Sequence, residues 1–386
     1  MTESGERHAS WLELFFDLVV VVAVVQLAHR MHKPSLSGAL VTLMVFYAIW
    51  SVWISYTLYA NVVADKARIR SVLVGMFGIA VMAAAVPGVA NKLETVQDTR
   101  DFAFALAYVI CRFAAGSTFS KAGTVITSWS TAQWGRGLVL GPWIVSLMTD
   151  PPLTYQLWFV GIVFDLVLSV VRSRRQDEIM AKIRRRELRK GGHEWVRRAE
   201  LDPGHLNERL GLFVIIVLGE AVMQVVIGAA DVPWDIDLAF VAVSGFALVV
   251  SLWWLTFRYG VVAFPESGNI TFKPGAVLPA HFVMTAGITG LAAGLGVTAE
   301  HAGDDGLALG IVWVMCLGLA LNFGASMVLG AANGADRRWT WCYAVPTTVL
   351  PLVIAVLGDD LAGWMLVTLL FLVALWRIRY RPAAAS

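Results

Sequence analysis

Trp11-Leu-Glu-Leu-Phe-Phe-Asp17-Leu-Val-Val-Val-Val-Ala-Val-Val-Gln26 decides the class of this chain. About 20 predominantly apolar residues in a helix cross a bilayer core of about 30 Å, and this stretch has that length and character. It also carries two acids. An acid at the centre of an apolar span costs about 2.5–3.5 kcal/mol on insertion scales, so such residues pair with a partner or serve a function. Glu13 and Asp17 stand four apart, which puts both carboxylates on one helix face. A second stretch, His205-Leu-Asn-Glu208-Arg209-Leu-Gly-Leu-Phe-Val-Ile-Ile-Val-Leu-Gly-Glu220, has the same design.

The composition agrees with that reading. Of 386 residues, 58% are hydrophobic and 15% charged, against about 25% charged in soluble domains. The expected fold is an all-α integral membrane protein with about twelve transmembrane helices. The spans read as 10–30, 38–62, 71–91, 101–120, 127–148 and 153–173, then 205–229, 236–260, 274–298, 306–330, 338–357 and 361–380. The span at 127–148 is the weakest, because it holds Arg136 and Pro142 and opens on polar residues. Cys111, Cys316 and Cys342 fall in apolar spans and read as small buried hydrophobes. Several Trp sit near span ends, including Trp11, Trp158, Trp234 and Trp339, where an interfacial belt favours them.

Loop charge tests the count. One set of loops and span ends collects Lys66, Arg68, Arg70, Arg258, Arg337, Arg338, Arg377, Arg379 and Arg381. The other collects Asp150, Asp231, Asp235, Asp237, Glu300, Asp304, Asp305, Asp359 and Asp360. The positive-inside rule then puts both termini in the cytoplasm. Residues 172–204 hold eleven basic and six acidic residues. They read as a solvated cytoplasmic linker, with 179–190 able to lie along anionic lipid; nucleic-acid binding is not expected there. Ser51, Trp53, Tyr59 and Val62 match Ser251, Trp253, Tyr259 and Val262 at an offset of 200. This points to two parallel six-helix repeats, 1–174 and 205–386, joined by a basic linker at 175–204.

The ionisable residues within spans are the candidate site: Glu13, Asp17, Arg112, Asp165, His205, Glu208, Arg209 and Glu220. His281 joins them in the ninth span. Glu13, Glu208 and Arg209 lie about one turn in, where long side chains snorkel. Asp17, Arg112, Asp165 and Glu220 lie deeper and are the costly ones. Arg112 reads as the partner of Asp17 or Asp165, with Asp17 preferred. Glu220 has no evident basic neighbour and is the acid expected to titrate. His205-x-x-Glu208 has two side chains that metals favour, but a helix-capping His is the expectation. No P-loop, paired-His metalloprotease motif or Gly-x-Ser-x-Gly is present, so no enzyme, cofactor or resident metal is expected.

These residues resemble the low temperature requirement protein A (LtrA) family of bacterial membrane proteins. The stretches 11–28 and 205–220 carry the resemblance, supported by 105–112, Trp50-x-x-Trp53 and Tyr59-Ala-Asn61. Val20 and Leu210 stand where Phe is usual, and Ala221 where Ser is usual. The resemblance implies a multipass protein of the bacterial cytoplasmic membrane, tied by its name to growth in the cold, with an unsettled biochemical activity. Phe15-Phe-Asp17-Leu-Val is also similar to the opening motif of the lysosomal potassium-channel family, with Phe16 where Ser is expected. A transporter or channel for an ion or small solute is the leading expectation. A sensor or scaffold docking through 172–204 is the alternative, and a lipid-modifying enzyme the third.

Overall fold

The computed structural model describes residues 9–63, 69–90, 99–121, 124–125, 133–174, 197–198, 201–259, 274–304, 306–358 and 360–380. Those residues form twelve helices: α1 Trp11–Arg30, α2 Leu36–Val63, α3 Ile69–Ala85 with a 3-10 turn at Val86–Gly88, α4 Thr99–Lys121, α5 Gln133–Ser146 and α6 Leu153–Arg174. Then follow α7 Pro203–Gly228, α8 Ile236–Tyr259, α9 Pro274–Glu300, α10 Leu309–Ala332, α11 Arg337–Leu357 and α12 Gly363–Ile378. A two-residue parallel pairing of Thr124–Val125 with Arg197–Arg198 is the extended structure among the described residues. Eight helices (α1, α2, α3 with its turn, α7, α8, α9, α10 and α11) are long and apolar enough to cross a membrane. Helices α5, α6 and α12 are apolar but shorter. The expected amphipathic helix at 179–190 and most of the basic linker lie outside the described residues.

The chain forms two compact units, one of residues 1–23 and 40–209, the other of 24–39 and 210–386. The divisions fall inside α1, in the first turn of α2 and after the first turns of α7.

The first unit is built around α2. Its residues from 45 to 61 are buried on every side, as expected for a helix apolar all round. The packing there is aromatic. Trp50, Trp53, Tyr47, Tyr56 and Tyr59 fill the space around α2. Farther along the unit, Trp143 stacks on Trp158 at 5.0 Å between ring centroids and lies tilted against Tyr108 at 4.1 Å. Trp158 is therefore core rather than interfacial belt, and so is Trp339 in the second unit. Trp11 and Trp234 have the exposure expected of belt residues.

The second unit is built around α9 and packs in the opposite way, by small residues that let backbones touch. A Cβ on Gly318 would sit 2.5 Å from the Gly287 carbonyl oxygen, and one on Gly287 would collide with that of Gly318. Helices α9 and α10 therefore cross at glycine on both sides, the contact that small residues permit between membrane helices. Gly228 on α7 meets the Gly296 carbonyl in the same way. In α11 the helix widens into a π turn at Thr340–Ala344 just before Pro346. Proline has no N–H to offer the carbonyl four residues back, and Trp376 Nε1 donates to that Cys342 carbonyl at 3.0 Å. Cys342 is exposed, unlike the buried Cys111 and Cys316, which corrects the expectation for that thiol.

Candidate functional site

Helix α1 wears its polarity inside out. Trp11, Phe15, Leu18 and Val22 are exposed, while Glu13, Phe16, Asp17 and Val20 are buried. An apolar outer face and an acidic inner face suit a helix that sits in lipid and turns its charges toward other helices.

The two acids meet two bases of α7 in a ladder. Asp17 is the seventh residue of α1 and Arg209 the seventh of α7. Arg209 Nη1 donates to Asp17 Oδ2 at 2.6 Å and Nη2 to Oδ1 at 2.8 Å. This is the bidentate geometry in which a planar guanidinium matches a carboxylate. One turn earlier, Glu13 and His205, each third in its helix, lie 3.3 Å apart. Both rungs join residues 192 positions apart, and the four-residue spacing is the same on both helices, so each acid faces its base at equal depth.

Helix α2 braces both rungs. Trp53 Nε1 donates to Asp17 Oδ1 at 2.8 Å. Asn61 Nδ2 reaches His205 Nδ1 at 3.1 Å. Because the amide is a donor, His205 Nδ1 accepts and the ring proton sits on Nε2, facing Glu13. Asn61 also exchanges two 2.9 Å bonds with the Asp202 backbone. Asp202, not His205, caps α7, accepting from the Gly204 and His205 amides at 3.0 and 3.2 Å. Ser10 and Glu13 cap α1 reciprocally, Ser10 N donating to Glu13 Oε2 at 2.7 Å, the arrangement of a capping box.

A second pair lies elsewhere in the first unit. Arg112 Nη2 donates to Asp165 Oδ2 at 2.7 Å, and Tyr47 OH donates to the same oxygen at 3.1 Å. Arg112 Nη1 donates to Ser55 Oγ at 2.8 Å. Of the two acids the sequence offers Arg112, the structure gives it Asp165 rather than the preferred Asp17, and gives Asp17 to Arg209. Arg209 is not snorkelling, since its side chain is wholly buried. A long arginine one turn in can bend inward as readily as outward when an acid waits at its own depth. Glu208 is half-buried and lies outside the ladder's two rungs.

Among the described residues of the second unit, His281, Arg377 and Glu220 are buried in surroundings of another kind. His281 donates to the Leu210 carbonyl at 3.1 Å. Arg377 donates to Thr347 Oγ1 at 2.9 Å and to Ser326 Oγ, with its guanidinium 4.7 Å from the Phe323 ring and 5.2 Å from that of Trp339. Glu220 accepts from Gln224 Nε2 at 2.6 Å. Among the described residues no cation pairs with Glu220 and no carboxylate pairs with Arg377. Gln224 is held in turn by His32, whose Nε2 lies 2.9 Å from its carbonyl oxygen. No motif points to His32. Its separation from Gln224 is again 192 residues, the register of the ladder, and that spacing is the signal that finds it. Among the described residues no group of three or more His, Cys, Asp or Glu side chains is arranged to hold a metal ion.

Apolar helices with outward greasy faces and inward charges fit a multipass bacterial membrane protein. The chain belongs to the bacterial low temperature requirement A (LtrA) family, whose model matches residues 8–375. An uncharacterized protein of Rhizobium meliloti (strain 1021) is 27% identical over 320 residues, covering 78% of this chain and 70% of that protein. No solved structure matches.

Proposed function

We propose that the chain is a non-enzymatic membrane transporter or channel for a proton or small cation, with Glu220 as the carboxyl that gains and loses the charge. The observation that carries this is the company Glu220 keeps. It is 3% exposed on a membrane-length helix, and its contact is a neutral amide, not a base. Asp17 and Asp165 each hold an arginine, so neutralising either strands a buried guanidinium, a change that costs about 3–5 kcal/mol. Glu220 can be neutralised and recharged without that penalty. The paired acids hold the bundle, and the unpaired one works.

In this reading the chain crosses the bacterial cytoplasmic membrane about twelve times as two six-helix halves, with both termini inside and the 172–204 segment near anionic lipid. The experiment is flux of protons and of alkali cations into proteoliposomes, comparing wild type with Glu220→Gln. Loss of flux in that variant supports the reading, and unchanged flux overturns it. A membrane sensor or scaffold is the second reading, favoured by the closed pairing of the ladder's charges. For that version, deletion of residues 175–196 abolishes growth in the cold while flux is absent from the start.

A further inference from the structure

Glu220 does not end in a closed pocket of hydrocarbon. From it a line of side chains runs toward the turn after α1. Gln224, one helical turn along α7, bonds Glu220 at 2.6 Å and His32 at 2.9 Å. His32 in turn lines a cavity of about 350 Å³ whose wall includes Lys33, His301, Ala308 and Gly310. Lys33, His301 and Ala308 are exposed. Glu220 lies eight residues before the end of α7, so at 1.5 Å per residue the carboxyl is about 12 Å from that end. The bonds of Gln224 to Glu220 and to His32 link the carboxyl to the cavity wall.

The line is built into the packing. A Cβ on Gly296 would meet Gln224 Cβ and Oε1 at 3.0 Å and the Gln224 carbonyl oxygen at 3.1 Å. Glycine at 296 is what lets α9 lie against Gln224 with its amide pointed along the line. The amide fixes polarity. Its N–H end is turned to Glu220 and its carbonyl to His32, so His32 carries its proton on Nε2. Burial holds the His32 imidazole below its usual pKa, and the nearby His29 ring adds to this; the bond to Gln224 and the charge of Glu300 oppose it. The groups facing His32 are thus Gln224, His29 and Glu300, with Lys33 and His301 on the cavity wall. At neutral pH a neutral imidazole that can take up a proton stands between the cavity and the carboxyl.

We propose that this cavity is the mouth through which protons reach Glu220, with His32 as the relay and Gln224 as the latch between them. The proposal rests on the reading of Glu220 given above. A hydronium ion in the cavity gives its proton to His32 Nδ1, leaving water and an imidazolium. The Gln224 amide turns aside, and the Nε2 proton passes to a Glu220 carboxylate oxygen directly or through one water. The products are neutral imidazole and a carboxylic acid, and the reverse sequence releases the proton. No redox partner is needed.

The test uses the full chain in proteoliposomes with a trapped pH-sensitive dye and an imposed pH gradient. One variant is His32→Phe. The other is Ala308→Cys in a Cys342→Ser background, labelled with a bulky maleimide before reconstitution, so that the cavity is filled after the protein has folded. A positioned proton donor contributes about a hundredfold or more to transfer, and His32→Phe is expected to slow flux by that order. The filled cavity should slow flux by the same order relative to the same Ala308→Cys protein left unlabelled. Unslowed flux in either the His32 variant or the filled protein overturns the route. If Glu220→Gln also keeps its flux, the reading of Glu220 falls with it. If that variant is dead while the other two run freely, only the route is wrong.

Discussion

Asp17 and Arg209 are each the seventh residue of a long apolar helix, and they close on one another with two hydrogen bonds of 2.6 and 2.8 Å. Glu13 and His205 repeat the match one turn earlier. Two motifs nearly two hundred residues apart are thus halves of one ladder, and their four-residue spacings are equal because the rungs must align.

The ladder predicts strong coupling between its members. Arg209→Met leaves the Asp17 carboxylate buried with a single indole donor, and stability should fall by about 3–5 kcal/mol. Asp17→Asn with Arg209→Met removes both charges and, set against each single variant, should recover much of that loss. Thermal unfolding of the purified protein in detergent, run as a double-mutant cycle, checks this; additive losses would contradict it.

Arg377 should behave differently from Arg209. Its two hydroxyl partners already donate to carbonyls of their own helices, Thr347 to Tyr343 and Ser326 to Phe323. Removing the guanidinium orphans no donor and no acid. Arg377→Met is therefore expected to be near neutral or stabilising, as replacement of buried charge by apolar volume often is. The same unfolding measurement decides, and a loss as large as that of Arg209→Met would refute it.

The glycine crossing of α9 and α10 should tolerate no side chain. Gly287→Ala drives a methyl into the Gly318 carbonyl oxygen, so the helices must part. Overpacking of this kind costs about 1–3 kcal/mol. Gly141→Ala, with nothing within 4 Å of its Cβ, is the control and should unfold with the wild type.

Tyr47 offers a smaller, separable effect. Its hydroxyl is one of two donors to Asp165 Oδ2. Tyr47→Phe keeps the ring and the ion pair, so it should cost about 0.5–1.5 kcal/mol, well below Asp165→Asn, which strands Arg112. Equal losses in the two variants would show that the tyrosine, not the pair, carries the site.

Much of this is legible in the sequence. Runs of apolar residues place the helices, and the cost of burying charge picks out Asp17, Arg112, Asp165 and Glu220. The partner of Asp17 escapes that reasoning, because depth ranks residues by cost without matching them to one another. Arg209 ranks as shallow, yet it is as shallow as Asp17. Arg377 ranks with the basic residues of a span end, because the hydroxyls and rings that gather around its guanidinium come from distant parts of the chain. His32 lies in a turn with no motif, and only the shared 192-residue register connects it to Gln224. The faint repeat at an offset of 200 does not extend to environment: Trp53 is buried on Asp17, whereas Trp253 is 45% exposed.

Proton flux in Glu220→Gln proteoliposomes, set beside the Asp17→Asn/Arg209→Met protein, bears most directly on the division between working and structural acids. Flux should vanish in the first and persist in the second. Flux that survives in Glu220→Gln but is lost with the ladder would contradict it.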